Sequence, residues 1–123
     1  MSSLTISRPG QMERRTQLEE CWRARLERIT GLSLAYHDAA QLAREGSYTE
    51  RARASRRARM LARAAVSERQ ALAEIEAALD RITSGAYGRC EECREPISAS
   101  LLASRPQARY CASCGWLAAQ PAG

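Results

Sequence analysis

Cys90-Glu91-Glu92-Cys93 and Cys111-Ala112-Ser113-Cys114 are two C-x-x-C pairs with seventeen residues between them, Arg94 to Tyr110. A zinc ion bound only by thiolates takes four sulfurs at the corners of a tetrahedron. Each C-x-x-C turn supplies two of them, and the intervening loop brings the second pair back to the first. The alternatives are two disulfides or one redox pair. A redox C-x-x-C needs a thioredoxin-like βαβ setting, and no strand-rich stretch precedes either pair. Disulfides suit a secreted chain, and Met1 to Gly10 lacks the apolar core of a signal peptide. Cys90, Cys93, Cys111 and Cys114 are therefore expected to hold one structural Zn²⁺ per chain. With four sulfurs on the metal no position is left for a bound water, so metal-assisted hydrolysis is not expected.

Upstream of the cysteines the pattern is helical. From near Gln11 to about Arg44, Leu18, Trp22, Ile29, Leu32, Tyr36, Ala39 and Ala43 recur at spacings of three and four, with Arg25 as the misfit. From about Glu50 to Thr83 the seam is more regular: Ala54, Ala58, Leu61, Ala65, Leu72, Ile75, Leu79 and Ile82, with Glu68 as its one polar member. Glu45 to Glu50 reads as the turn. There Gly46 is expected in the left-handed conformation that ends a helix, and Ser47 or Thr49 as the next N-cap. Two helices of matched length joined by a short turn predict a long antiparallel coiled-coil hairpin. Gly85 closes the second helix, and Ser98 is placed to cap a short helix from Ala99 to about Ser104. Trp116 to Ala119 reads as one apolar turn.

The expected organisation is a mobile lead over 1–11, a coiled-coil hairpin over 12–83 with its tip near 45–50, a four-cysteine zinc finger over 84–118, and a tail over 119–123. The fold class is mostly α, with a small zinc knob at the base of the hairpin. A knob of this size cannot support itself by burial alone, so zinc is needed to stabilise it.

The chain has nineteen arginines, no lysine and a formal charge of +5. The charge is concentrated: residues 46–69 hold seven arginines (51, 53, 56, 57, 59, 63 and 69) against Glu50 and Glu68, a net of +5. At 100° per residue the first six fan over much of the helix surface away from the alanine seam. Such a face is either solvated or meets an acidic partner or phosphates. No apolar run approaches the roughly 20 residues that cross a bilayer, and a soluble, cytoplasmic chain is expected.

Gly85-Ala86-Tyr87-Gly88-Arg89-Cys90-Glu91-Glu92-Cys93-Arg94-Glu95-Pro96-Ile97, then Arg105-Pro106, then Cys111-Ala112-Ser113-Cys114, following a helical hairpin, resembles the DksA/TraR family of bacterial regulators. The likeness covers about residues 50 to 118 well, and the first helix by length and pattern only. Leu101 departs from it, standing where the family motif usually has arginine. The resemblance implies a protein that is not an enzyme. Such a protein binds RNA polymerase, inserts its coiled-coil tip into the secondary channel and modulates transcription initiation.

The family's tip pattern, Asp-x-x-Asp-x-Ala, falls on Ser47-Tyr48-Thr49-Glu50-Arg51-Ala52, so one carboxylate is lost at Ser47. Ser47, Glu50, Arg51 and Ala52, with the basic shaft Arg53, Arg56 and Arg57, are the expected partner-binding residues. Under the polymerase reading that shaft meets the acidic channel rim or nearby nucleic acid. Arg105 matches an arginine of the family's guanosine tetraphosphate site, but Glu74 and Gly115 stand where lysines are expected. A weak or absent response to that nucleotide is implied, because a carboxylate repels phosphate.

The alternative reading is a zinc-stapled module that binds DNA or another protein and keeps the fold without the channel activity. Sequence-specific DNA recognition is not expected, because the arginines lie on a shaft rather than on a helix presented by the zinc knob. A monomer is expected, since an antiparallel hairpin satisfies its own seam. Cys21, Trp22 and Trp116 read as packing residues and His37 as exposed near the tip. Glu91, Glu92 and Glu95 read as solvated charges.

Overall fold

The computed structural model describes residues 8–118, with side chains described for 10–115. Four helices follow in order: α1 (Arg8–Glu45), α2 (Tyr48–Ser84), α3 (Ala99–Ser104) and α4 (Ala112–Ala118). The tail over 119–123, the start of the lead and the packing expected of Trp116 lie outside the described residues. The chain forms two compact units, Trp22–Ala73 and Met1–Cys21 with Glu74–Gly123.

Trp22–Ala73 is an antiparallel helical hairpin. Its buried residues are Ala39, Ala54 and Ala65. Trp22, Ile29, Leu32, Ala43, Ala58, Leu61 and Leu72 are half-buried around them. Tyr36, expected in the seam, is 41% exposed, its ring edge-on to His37 with centroids 6.2 Å apart. The two misfits of the seams answer each other: Arg25 Nη1 donates to Glu68 Oε2 at 2.8 Å, and Arg28 Nη1 lies 3.6 Å from Glu68 Oε1. That pairing lowers the Glu68 pKa from its ordinary 4.5, the Arg25 hydrogen bond being the largest cause.

The turn is tighter than the sequence suggested. α1 runs to Glu45 and α2 starts at Tyr48, leaving Gly46 and Ser47 as the connection. Gly46 is not left-handed; among the described glycines only Gly85 and Gly88 have positive φ. Glycine is needed there for space, because a Cβ on Gly46 would lie 2.8 Å from the Leu42 carbonyl oxygen.

The other unit joins the paired ends of α1 and α2 to the cysteine segment. α1 begins at Arg8 rather than near Gln11, as Pro9 falls in the first turn, where a missing N–H costs nothing. α2 ends in a Schellman cap: Gly85 takes φ +83°, the Ala86 N–H donates to Arg81 O at 2.9 Å, and the Gly85 N–H donates to Ile82 O at 3.3 Å. Leu18, Ile75, Ala78, Tyr87, Cys90, Ile97 and Leu102 form the core of this unit. Ala78 lies outside the expected seam and is buried all the same, because the segment after Gly85 covers a second face of α2. The Tyr87 hydroxyl donates to Pro106 O at 2.8 Å, which allows a buried phenol and pins the loop to the start of the segment.

Candidate metal centre and hairpin turn

The first cysteine pair sits on a small β-like loop. Arg89 and Pro96 form an antiparallel bridge, and the Cys90 N–H donates to Glu95 O at 2.9 Å. Inside the loop the Arg94 N–H returns to Cys90 O at 3.0 Å, with Arg94 in the left-handed region at φ +67°. The second pair straddles the start of α4, where the Gly115 N–H donates to Cys111 O at 2.7 Å. The Glu91 N–H donates to Arg109 O at 2.9 Å and ties the two halves together.

All four Sγ atoms lie within 4.8 Å of one another, and Cys93 Sγ is 3.8 Å from Cys111 Sγ. A tetrahedron of sulfurs each about 2.3 Å from zinc has edges of about 3.8 Å, so the cluster fits the ion closely. Cys90 is fully buried. Burial opposes its ionisation, but hydrogen bonds from the backbone of Cys93, Cys111 and Glu92 outweigh this and bring its pKa down to about 6. Cys114 is pushed up to about 12, first by its hydrogen bond with Cys111 and then by burial. Cys90 thus gives up its proton most readily, and a divalent cation would take the place of the protons that crowding by neighbouring sulfurs favours at Cys93 and Cys114.

An ion-pair chain anchors this loop. Arg109 Nε donates to Glu74 Oε1 and Oε2 at 2.5 and 2.7 Å, and Arg109 Nη1 lies 3.3 Å from Glu91 Oε1. Arg81 Nη1 is 3.6 Å from Glu91 Oε2, while Arg81 Nη2 donates to Gln107 O at 3.2 Å and Ala108 O at 3.4 Å. The Arg109 pKa is raised, chiefly by the Glu74 hydrogen bond. Glu91 is thus not the solvated charge its sequence position suggested. It is exposed in part, yet it bridges two arginines. Glu74 faces a guanidinium rather than open solvent. No local spacing announces these partners, which lie 10 to 35 residues apart.

At the hairpin turn Ser47 and Glu50 form a reciprocal capping box. The Ser47 N–H donates to Glu50 Oε1 at 2.9 Å, and the Glu50 N–H donates to Ser47 Oγ at 3.3 Å. The Ser47 backbone hydrogen bond is the main cause of the lowered Glu50 pKa. Arg51, Ala52, Arg53, Arg56 and Arg57 are all exposed. Arg105, in the cysteine unit, is the exposed C-cap of α3. No helix among the described residues is long and apolar enough to cross a membrane.

A helical hairpin whose ends are joined to a four-cysteine metal knuckle defines the class of protein. Residues 85–115 match the family model of the prokaryotic dksA/traR C4-type zinc finger. Over 91 residues, 73% of this chain, it is 35% identical to the RNA polymerase-binding transcription factor DksA of Caulobacter vibrioides, of which it covers 59%. An uncharacterized protein of Aquifex aeolicus is 49% identical over 43 residues, 35% of this chain and 30% of that protein. The chain thus spans less than two thirds of the curated relatives it matches. The solved structure of transcription factor DksA2 from Pseudomonas aeruginosa superposes with a TM-score of 0.80 at 25% identity, covering 93% of this chain and 86% of that one. Residues 85–115 thus form a zinc finger of the dksA/traR C4 type, and its clustered cysteines are a structural zinc site.

Proposed function

We propose that this protein is a non-enzymatic transcription regulator that binds RNA polymerase and inserts the turn of its hairpin into the secondary channel. The observation that carries this reading is the likeness to DksA2 across nearly the whole chain, hairpin and zinc finger together. The name of the Caulobacter relative supplies the partner. On this reading Ser47, Glu50, Arg51 and Ala52 form the channel-facing end. The capping box gives that end a particular character, because the one remaining carboxylate, Glu50, is held by the Ser47 backbone. A weaker effect on the polymerase active centre follows than two free carboxylates would give. We also propose a cytoplasmic monomer, as the hairpin seam is filled from within one chain.

Guanosine tetraphosphate synergy is expected to be weak. Glu74 occupies one lysine position, its carboxylate already paired with Arg109, and Gly115 occupies another. This leaves Arg105 as the only matching cation.

The test is capture of RNA polymerase core by the zinc-loaded protein, with promoter-complex lifetime as the second readout. Glu50→Gln with Arg51→Ala is the informative variant, since glutamine at the third helical position retains the capping box. Binding by both proteins, with lifetime changed by the native turn only, supports channel insertion. Equal effects from both would move the function away from the turn, and no binding by either would remove the polymerase reading.

A further inference from the structure

We infer that the outer face of α2 from Arg51 to Arg69 binds the phosphate backbone of double-helical DNA without reading its sequence. This goes beyond the polymerase reading, and the free protein is enough to test it.

Seven arginines lie on this stretch, and all are exposed. Among the described residues none of the seven forms an ion pair, whereas Arg25, Arg28, Arg81 and Arg109 are all paired. The nearest carboxylates on the same helix do not quench the field. Glu50 is engaged by the Ser47 backbone, and Glu68 is held by Arg25 and Arg28 of α1. The net charge of +5 on residues 46–69 is therefore presented outward. The fold has placed the acidic groups where they serve the hairpin and has left the basic ones free.

The geometry favours a duplex. At 1.5 Å per residue the stretch is about 27 Å long, and a duplex of that length carries one charge per about 1.7 Å of axis. At 100° per residue, Arg53, Arg56, Arg57, Arg59 and Arg63 span about 160° of the helix surface opposite the Ala54 and Ala65 seam. Phosphates of two strands can flank so wide a fan, whereas a single acidic protein helix meets one side of it. Between the arginines runs a groove of about 420 Å³ lined by Arg53, Arg56, Arg57, Met60, Leu61 and Ala64. Its apolar floor suits sugar edges. Residues 51–69 contain no aromatic side chain, so the stacking platform that single-stranded nucleic acid requires is missing. Within 51–69 no Asn or Gln offers a fork for adenine edges, and arginines fanned over about 160° meet phosphates on two sides rather than one row of base edges.

The experiment is fluorescence anisotropy of the zinc-loaded full chain with two unrelated duplexes of about 25 base pairs, titrated between about 50 and 200 mM salt. If the five fanned arginines each neutralise one phosphate, log K falls with a slope of about −4.5 against log salt, a loss of about 500-fold over that range. Both duplexes should bind equally. Arg56→Gln with Arg57→Gln, changes that keep a good helix former at each site, should make the slope shallower by about 2. Arg23→Gln with Arg44→Gln removes the same charge from exposed positions on α1 and should leave the slope unchanged. Circular dichroism confirms that each variant is folded. No duplex binding at the lowest salt would overturn the inference. So would equal slope changes in the two double variants, which would report net charge only. Binding to polyglutamate that duplex DNA fails to displace would assign the face to an acidic protein and overturn it as well.

Discussion

The two units of this chain are built on opposite principles. Of the ten buried apolar residues among the described positions, seven lie in the cysteine unit and include Leu18, Ile75, Tyr87, Ile97 and Leu102. The three in the hairpin unit are all alanines. Conversely, seven of the eight large exposed apolar side chains, with Tyr48 at 83% and Met60 at 64%, belong to the hairpin unit. Alanine lets two helices approach closely but removes little apolar area from water, so each buried alanine contributes far less than a leucine. The cysteine unit concentrates stability in large side chains, a metal and an ion-pair chain. The hairpin unit keeps its large and charged groups on the surface, where partners can reach them.

Metal removal should separate the two most clearly. Chelation, or Cys90→Ser, should abolish hydrogen-exchange protection across 85–115 while amides of 22–73 keep most of theirs, because no metal ligand lies in the hairpin unit. Simultaneous loss in both would show that they fold as one. A smaller effect is expected from Leu102→Ala, which leaves a cavity at a fully buried position and should cost about 2–5 kcal/mol in urea unfolding. Ala54→Gly, in the alanine seam, should cost only about 1 kcal/mol. Similar costs for the two would contradict the contrast drawn from burial.

The Arg25–Glu68 pair gives a finer probe. Glu68→Leu alone should lower the thermal midpoint, since Arg25 is left half-buried without its partner. Adding Arg25→Leu should restore it or raise it further, as an apolar pair fits the seam without desolvating charge. The pair also has a pH signature. Its lowered Glu68 pKa means that the folded hairpin holds this proton less tightly than the unfolded chain does. Its contribution is complete above the ordinary carboxylate value of 4.5 and is lost as pH falls through the folded value. Glu68→Gln should flatten that acid limb of a pH–stability profile. The smallest expected change is a gain: nothing lies within 4 Å of a Cβ built on Gly31, so Gly31→Ala should add about 1 kcal/mol by helix propensity alone. A loss on that substitution would reveal a contact made at Gly31.

Much of this molecule is written locally, and those parts were legible without coordinates. Helix period, the alanine seam, the Gly85 cap, the Ser98 cap of α3 and the cysteine spacing each depend on residues a few positions apart, where chain geometry leaves few choices. Even the two seam misfits, Arg25 and Glu68, stood out by position. Their partnership did not, because it spans 43 residues and depends on the register of one helix against the other. The Glu74–Arg109–Glu91–Arg81 chain was hidden for the same reason. The reading of Gly46 as a left-handed cap failed because glycine serves either backbone angle or close approach, and only the position of the Leu42 carbonyl distinguishes them. The sequence by itself determined the helices and the four-cysteine cluster of the zinc finger. Tertiary structure decided which charges are spent within the fold and which remain free, because an ion pair forms or fails over a few ångströms and spacing along the chain carries no such distance.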